Sequence, residues 1–211
     1  MPLTTIDDAL RRIRRGEMVL VVDDEDRENE GDLTLAAEWV TPEAINFMLR
    51  WARGLVCMPC ASTRLDKLEI GPMVATPGCD TAFTVSVDHC TAGSGIGAAD
   101  RALTIRRMIE PDSRPTDFIR PGHVFPLRAR DGGVLERRGH TEAAVDLAVL
   151  AGLAPAAVIC EVLHDDGSPA RIPYLELFAQ EHRIAMISVA QVVEHRMEKE
   201  QVGATSRPLM L

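Results

Sequence analysis

MVLVVDDEDRENEGDLTLAA, residues 18–37, is the stretch from which the fold can be read first. Five apolar residues, 18–22, precede ten residues, 23–32, of which seven are acidic, and an apolar alternation resumes at Leu33 and Leu35. This pattern predicts two strands joined by an acidic loop. Because apolar residues flank the loop on both sides, we expect it to be anchored in folded structure at each end.

The acidic loop has two interpretations. Most charge runs are solvated surface, so an exposed turn after a strand is the simpler one. Carboxylates held this close, however, repel one another unless a positive group lies among them. Arg27 and Gly31 interrupt the run, so it is not a plain like-charge tail. We therefore interpret the segment as a ligand loop for a hard metal ion, with Arg27 free to meet an anion.

The composition indicates one soluble globular domain. The chain has 211 residues, 46% of them hydrophobic and 26% charged, and a net charge of −9 argues against a nucleic-acid partner. No apolar run approaches the roughly 20 residues of a membrane span, and the first residues do not resemble a secretion signal. Five cysteines fit reduced thiols better than a disulfide framework, so we predict a cytoplasmic protein without membrane contact.

Working outward from the acidic loop, helical and strand patterns alternate irregularly. Helices are predicted at 6–15, 42–53, 64–68, 98–109, 142–151, 174–182 and 189–200. Strands are predicted at 18–22, 32–37, 55–58, 81–87, 124–129, 156–163 and 184–188. Some strands follow one another directly, which favours an α+β fold, an α/β/α sandwich whose mixed sheet is covered by helices on both faces. We expect a single domain over 1–202 and a loose tail over 203–211.

The cysteines Cys57 and Cys60 form a CxxC motif, which can indicate zinc binding or redox chemistry. A structural zinc site needs a second such pair or a histidine pair, and Cys79, Cys90 and Cys160 do not provide that spacing. Pro59 and Cys60 could open a helix, as in a thioredoxin-type motif, but nothing downstream supports redox chemistry. Buried or site-lining thiols are the favoured interpretation.

Two histidines and one glutamate have more informative contexts. His123 and His140 each follow a glycine in a turn rich in arginine. Since a helix is predicted to start near His140 and Thr141, its free N–H groups and the nearby Arg137 would form an anion site suited to phosphate. Glu161 follows an apolar run, where a carboxylate is costly unless it has a partner or a function.

Five motifs together resemble one enzyme family. They are DDEDRENEGD (23–32), TAFTVSV (81–87), AADR (98–101), RPGHVFPL (120–127) and GHTEA (139–143). In this order they strongly resemble 3,4-dihydroxy-2-butanone 4-phosphate synthase of riboflavin biosynthesis, over about residues 5–200. The resemblance implies a homodimer that uses Mg²⁺ or Mn²⁺ and converts ribulose 5-phosphate to a four-carbon ketone phosphate and formate.

The resemblance also implies roles for individual residues. Glu28 and His140 would be the metal ligands, and His123 and Glu161 would be essential to catalysis. The implied substrate contacts are Arg27, Glu28, Asp32, Arg137, Arg138, Gly139, His140, Thr141 and Glu161. Further site-lining positions would be Glu30, Cys57 and Thr104. Arg138 differs from the small or acidic residue usual at this position in the family. The difference concerns the contacts that are expected to hold the substrate phosphate.

The implied chemistry is metal-assisted enediol formation, dehydration, skeletal rearrangement and loss of C4 as formate. Several acid–base groups are needed for these steps, which accounts for several carboxylates in one site. A different divalent-metal-dependent phosphosugar isomerase or aldolase on the same scaffold would carry similar residues, but it would not release formate. A non-catalytic binding module would have no use for Glu28, His123, His140 and Glu161 together.

Overall fold

The structure is a computed structural model that describes residues 3–24, 26–78 and 80–205, the last four of these by their backbone alone. Within these ranges the strands are β1 (Val19–Val22), β2 (Gly31–Ala36), β3 (Cys57–Cys60), β4 (Val87–His89), β5 (Phe118–Arg128), β6 (Ala157–Glu161) and β7 (Ala185–Ser188). The helices are α1 (Ile6–Arg14), α2 (Pro42–Phe47), α3 (Ser62–Lys67), α4 (Ala98–Ile109), α5 (His140–Leu150), α6 (Ile172–His182) and α7 (Val189–Thr205).

In the described ranges the seven strands form one mixed sheet in the order β4-β5-β3-β6-β2-β1-β7. Strands β1 and β2 are an antiparallel hairpin whose connection is the acidic loop. Strand β2 pairs antiparallel with β6, and this register places Asp32 opposite Glu161. The hairpin prediction is therefore confirmed, and the register brings a residue of the acidic stretch beside one from far along the chain.

Helices cover both faces of the sheet, as predicted. Helices α1, α5 and α7 pack on one face, where they bury Val19 and Val21 of β1. Helices α2, α4 and α6 pack on the other face, where Leu20 and Val22 are buried. Because β1 is enclosed on both sides, its sequence is continuously apolar, as expected of an interior strand. The α+β prediction is confirmed, and so is the mixed sheet.

The prediction of a strand at 81–87 is wrong in its extent. The regular strand β4 covers only Val87–His89. The preceding residues divide their hydrogen bonds between two neighbours, since the Thr84 N–H donates to the Pro126 carbonyl and the Val85 N–H donates to the Gly71 carbonyl. The alternation of β-branched residues therefore reflects a segment that crosses between two partners.

Strand β5 is longer than predicted, because it already begins at Phe118 and contains Pro121. Its pairing with β4 is irregular, since Ile119 pairs with Asp88 whereas Val124 pairs with Val87. The four residues 120–123 therefore form a bulge. Gly122 lies so close to the β4 backbone that a Cβ would come within 2.1 Å of the Val87 carbonyl carbon. The bulge presents His123 to Asp88.

The predicted helix at 42–53 contains a change of geometry. Helix α2 continues into a π-helical turn, Met48–Ala52, and the left-handed residue that ends it is Arg53 (φ 69°). Gly54, the residue after the predicted helix, has a role of its own, because a Cβ there would lie 2.5 Å from the Glu161 carboxylate. The glycine therefore permits close approach to a predicted site residue.

The CxxC motif lies wholly within β3, so the alternative in which Pro59 opens a helix is wrong. Cys57 and Cys60 are three residues apart in a strand and so point to opposite faces. Cys57, Cys60 and Cys160 are buried free thiols, and Cys90 is exposed; Cys79 lies outside the described residues. Helix α7 runs through Thr205, and residues 206–211 of the predicted tail are likewise outside the described part.

Candidate metal and substrate site

The candidate site lies on the α5 face of the sheet, where β2 begins, β6 ends and α5 begins. A cavity of about 150 Å³ opens there. Its lining comprises Arg27, Glu28, Glu30, Asp32, Cys57, Thr81, Phe83, Leu127, Arg137, His140, Thr141, Ile159 and Glu161. Nine of the predicted site residues are therefore brought together from four separate parts of the chain.

Asp23 organises the acidic loop from within. Its side chain is 1% exposed and accepts a hydrogen bond from Arg27 Nη1 at 2.7 Å. It also accepts from the backbone N–H groups of Glu28 at 3.2 Å and Glu30 at 2.8 Å. Arg27 in addition donates to both carboxylate oxygens of Glu28, at 2.8 and 3.0 Å. The expectation that Arg27 is free to meet an anion is therefore wrong, since two carboxylates already hold it.

Glu28 and His140 converge although 112 positions separate them in the sequence. Glu28 Oε2 lies 3.6 Å from His140 Nδ1, too far for a hydrogen bond but close enough for a strong electrostatic interaction. His140, together with Arg27, lowers the pKa of Glu28 to about 2 against the effect of burial. Burial lowers the pKa of His140, but Asp32 and Glu28 outweigh it and raise that pKa to about 9.

Three further ionisable groups line the same cavity. Burial raises the pKa of Asp32 to about 7 against the influence of His140, and the nearby Glu161 adds to the rise. Burial, with Glu161 and Asp32, also raises the pKa of the Cys57 thiol, which therefore stays protonated. One carboxylate oxygen of Glu161 accepts the Leu55 N–H at 2.8 Å. The sequence predicted that a carboxylate at this position would need a partner, and a backbone N–H group provides it.

The donor set fits a hard divalent cation. Asp23, Glu28 and His140 offer ligand atoms that all lie within 4.8 Å of one another. In addition, His140 Nε2 and Asp32 Oδ1 are buried atoms without a hydrogen-bond partner. Buried polar atoms rarely remain unpaired in native proteins unless water or a ligand satisfies them. Carboxylate oxygens with one imidazole suit Mg²⁺ or Mn²⁺.

The start of α5 differs from the prediction in its cap. Gly139, rather than Thr141, is the residue before the first helical turn. Arg137 donates to Glu142 Oε2 at 2.6 Å and to Thr81 Oγ1 at 3.3 Å, so Glu142 already offsets its charge. A Cβ on Gly139 would lie 2.2 Å from Arg137 Nη1. Glycine is thus required there for the arginine to reach the cavity beside Thr141.

Two predicted residues lie away from this cavity. Arg138 is exposed and does not contribute to the lining. Thr104 is fully buried on α4, where its hydroxyl donates to the Asp100 carbonyl and accepts the His89 N–H, both at 3.0 Å. The hydroxyl thereby ties α4 to β4. Its role in lining the site stays a prediction, as does the substrate contact of Arg138.

His123 also lies outside the cavity lining, on the same face of β5 as Leu127. Four residues of strand separate the two, roughly 13 Å at 3.3 Å per residue. Asp88 accepts from His123 Nδ1 at 2.6 Å and from the His123 N–H at 2.8 Å. Gly95, with φ of 83°, packs directly on this pair. The ring is therefore fixed through Nδ1, which leaves Nε2 for other partners.

Three residues that hold predicted site residues in place had no predicted role. Asp23 was part of the acidic stretch but had no signal that set it apart from its neighbours. Asp88 and Glu142 were assigned no role, although Glu142 belongs to the GHTEA motif. Glu142 is 1% exposed and Asp88 is 8% exposed, and a buried carboxylate requires a partner. Their burial, in β4 and at the start of the apolar α5, becomes visible only once the fold is known.

Comparison with known proteins agrees with this geometry. Residues 7–195 match the profile of the family described as 3,4-dihydroxy-2-butanone 4-phosphate synthase. A relative with that name from Agrobacterium fabrum is 54% identical over 198 residues, which are 92% of this chain and 93% of the relative. Riboflavin biosynthesis protein RibBA from Aquifex aeolicus is 55% identical over 201 residues, 93% of this chain and 50% of that protein.

Solved structures show the same similarity. A crystal structure of 3,4-dihydroxy-2-butanone 4-phosphate synthase in complex with two magnesium ions matches with a TM-score of 0.89 and 40% identity, covering 94% of this chain and 99% of that one. RibBX, a two-domain synthase from A. baumannii, matches with a TM-score of 0.89 and 46% identity, covering 92% of this chain and 58% of that one.

The chain spans the whole of some relatives and about half of others, such as 50% of the Aquifex aeolicus protein and 59% of the Wolinella succinogenes synthase. The profile match nevertheless extends over nearly the entire chain, and the A. fabrum relative is covered almost completely. This chain therefore belongs to the 3,4-dihydroxy-2-butanone 4-phosphate synthase family.

Proposed function

We propose that this protein converts D-ribulose 5-phosphate to L-3,4-dihydroxy-2-butanone 4-phosphate and formate in riboflavin biosynthesis. The observation that carries the proposal is the convergence of Glu28 and His140, 3.6 Å apart, in a cavity lined by further carboxylates. The reaction splits a five-carbon substrate into a four-carbon ketone phosphate and formate, and it needs no second substrate. It needs a group that stabilises negative charge on adjacent oxygens and several proton transfers.

Glu28 and His140 would hold the divalent cation, Mg²⁺ or Mn²⁺, with Asp23 beside them as a third carboxylate. A bound cation would supply electrostatic stabilisation of the negative charge that develops when a proton leaves the carbon next to a ketone. One structural relative is a complex with two magnesium ions, which supports Mg²⁺. Mn²⁺ is proposed because carboxylate ligands suit it as they suit Mg²⁺.

The remaining groups would move protons and hold the substrate. Because burial raises the pKa of Asp32 to about 7, this carboxyl can both accept and donate a proton near neutral pH. Glu161 lies opposite Asp32 in the sheet and would serve a second proton transfer. His123, fixed by Asp88, would be the proton carrier on the outer side of the site.

The substrate phosphate would meet the positive end of α5. The first helical turn, at His140 and Thr141, presents N–H groups to the cavity, and Arg137 lies beside them. Gly139 keeps this approach open, as its missing Cβ leaves room for Arg137. The exposed Arg138 would contribute long-range attraction for the phosphate. Arg27 would act mainly by fixing Glu28, which it holds through two hydrogen bonds.

We further propose a cytoplasmic homodimer. The family resemblance supports the dimer, and the free thiols at Cys57, Cys60, Cys90 and Cys160 support a reducing compartment. In the described part of the chain, no helix combines the length and apolarity needed to cross a membrane. Light scattering after size-exclusion chromatography would test the dimer, which predicts twice the mass of the 23.1 kDa chain.

The decisive experiment uses ribulose 5-phosphate labelled with ¹³C at C4. Purified protein with Mg²⁺ should release the label as formate, detected by NMR, and EDTA should abolish the release. Glu28→Gln should lose activity by at least 100-fold while remaining folded, because one metal ligand is lost. Glu38→Gln is the matched control, since Glu38 is a surface glutamate that bonds the Ala154 N–H away from the cavity. Consumption of the substrate without labelled formate would favour an isomerase or aldolase instead.

A further inference from the structure

We propose that Arg171 is a positioning residue that clamps the acidic loop and thereby sets the affinity of the site for its metal. Arg171 immediately precedes α6 and belongs to none of the motifs that identify the family here. Its Nη1 donates to the backbone carbonyl of Glu28 at 2.6 Å and also to the carbonyl of Asn29. The inference rests on the proposed metal role of Glu28.

The two carbonyls come together because Asn29 has a left-handed backbone, with φ of 54°. A non-glycine residue in this conformation needs support from its surroundings. Two carbonyl oxygens converging on one point would also repel each other without a shared donor. A guanidinium nitrogen supplies that donor with a full positive charge, which makes the hydrogen bonds stronger than neutral ones.

Arg171 completes a set of restraints on Glu28 from opposite sides. Asp23 holds the Glu28 N–H at 3.2 Å from inside the loop, and Arg171 holds the Glu28 carbonyl from outside. Both backbone polar groups of the proposed metal ligand are therefore fixed before any metal arrives. Its side chain, held by Arg27, then faces His140.

Helix α6 supports the clamp by packing. One turn after Arg171, the fully buried Leu175 touches the end of the loop so closely that a Cβ on Gly31 would lie 2.6 Å from its Cδ1. The position of α6 thus determines where the loop returns to β2.

The first test measures loop protection without metal. In EDTA, Arg171→Met should speed hydrogen exchange of the amides at residues 28–30 by about fivefold, because two charge-assisted hydrogen bonds to the loop backbone are lost. Arg64→Met is the matched control. Arg64 also donates to two backbone carbonyls, those of Met108 and Glu110, but it connects α3 to the end of α4. Its loss should leave exchange in the loop unchanged.

The second test measures Mn²⁺ binding by electron paramagnetic resonance. Arg171→Met should raise the Kd for Mn²⁺ about tenfold, whereas Arg64→Met should not change it. Arg171→Lys should recover most of the affinity, because an ammonium group can also donate to both carbonyls. Unchanged Mn²⁺ affinity in Arg171→Met would overturn the proposal, even if the loop exchanged faster. So would a lysine variant as weak as the methionine one, since a positively charged donor at this position would then not be what restores the affinity.

The two measurements also separate this inference from the proposed function. If the wild-type protein binds no Mn²⁺ at Glu28, the metal site fails, and faster loop exchange in Arg171→Met would still establish the clamp. If Mn²⁺ binds and its affinity is insensitive to Arg171, the metal site stands and the positioning role fails. Formate release is not needed for either conclusion.

Discussion

A proton and the metal should compete for His140. Asp32 and Glu28 outweigh burial and raise the pKa of His140 to about 9, so its ring carries a proton at pH 7 in the metal-free protein. A protonated imidazole cannot donate a lone pair to a metal, and binding must release the proton. We therefore predict that the apparent Kd for Mn²⁺ falls as the pH rises.

The magnitude follows from that pKa. The fraction of neutral imidazole is about 1% at pH 7 and about 9% at pH 8, so the apparent Kd should fall about ninefold over this interval. Above the pKa, near pH 9.5, the dependence should flatten. Asp32 titrates at lower pH, because burial raises its pKa only to about 7, and it steepens the dependence below that point.

Isothermal titration calorimetry would measure both quantities. Titration with Mn²⁺ at pH 7.0, 7.5 and 8.0, in two buffers of different ionisation enthalpy, gives the Kd and the number of protons released, which should be close to one. His140→Gln is the control, and its weaker affinity should depend on pH less steeply than that of the wild type, because only Asp32 then titrates. A wild-type Kd that stays constant from pH 7 to 8 without proton release would refute the reasoning.

Three further predictions concern stability and the histidine outside the cavity. In EDTA, the free energy of unfolding should decrease by on the order of 3 kcal/mol between pH 6 and 9.5, as urea denaturation would measure. The raised pKa of His140 stabilises the fold while the ring is protonated, and this stabilisation is lost as the pH rises through that pKa. The raised pKa of Asp32 acts in the same direction. Asp88→Asn should lower kcat by about 100- to 10,000-fold with little change in KM, because the amide would favour the wrong tautomer of His123, which ¹⁵N NMR detects directly. Gly95→Ala should destabilise the protein by about 1–3 kcal/mol in thermal unfolding, since its backbone is left-handed and a Cβ would lie 2.0 Å from Asp88 Oδ2.

Each of these has an outcome that would contradict it. Stability that rises from pH 6 to 9.5 would show that His140 is not held in its charged form. For Asp88, the control is Asp146→Asn, which removes an equally buried carboxylate paired with Arg196 outside the cavity. If both variants lose kcat equally, the effect is structural rather than due to the His123 tautomer. Wild-type stability of Gly95→Ala would mean that the loop moves away from the pair at little cost.

Strong local patterns made much of the fold predictable. The continuous apolar run of β1, the capped helix α1 and the helix α4 agree with the structure to within a few residues. In these elements the local preference and the tertiary environment favour the same conformation. The predictions were less accurate where two different backbone geometries produce the same sequence pattern. The π-helical turn at Met48–Ala52 has the same apolar spacing as an α-helix, so periodicity alone cannot reveal it.

The candidate site was predictable in its composition but not in its connections. Motif resemblance named Glu28 and His140, whereas no spacing in the sequence requires them to meet. Their approach depends on the antiparallel register of β2 with β6, which fixes the loop end beside the start of α5. Likewise, the partnership of Asp88 with His123 depends on a four-residue bulge that a strand pattern cannot indicate.

The charges in the site explain why the loop needs restraints at all. Asp23, Glu28, Glu30 and Glu161 lie near one another with two nearby cations, Arg27 and Arg171, and a charged His140. When the metal displaces the proton of His140, the negative charge of this cluster increases by one while the metal adds two positive charges. The loop must therefore hold the same geometry under two different charge distributions. Backbone anchors on both sides of Glu28 meet this requirement better than side-chain ion pairs would, because the strength of a backbone hydrogen bond changes little when a neighbouring carboxylate gains or loses its partner.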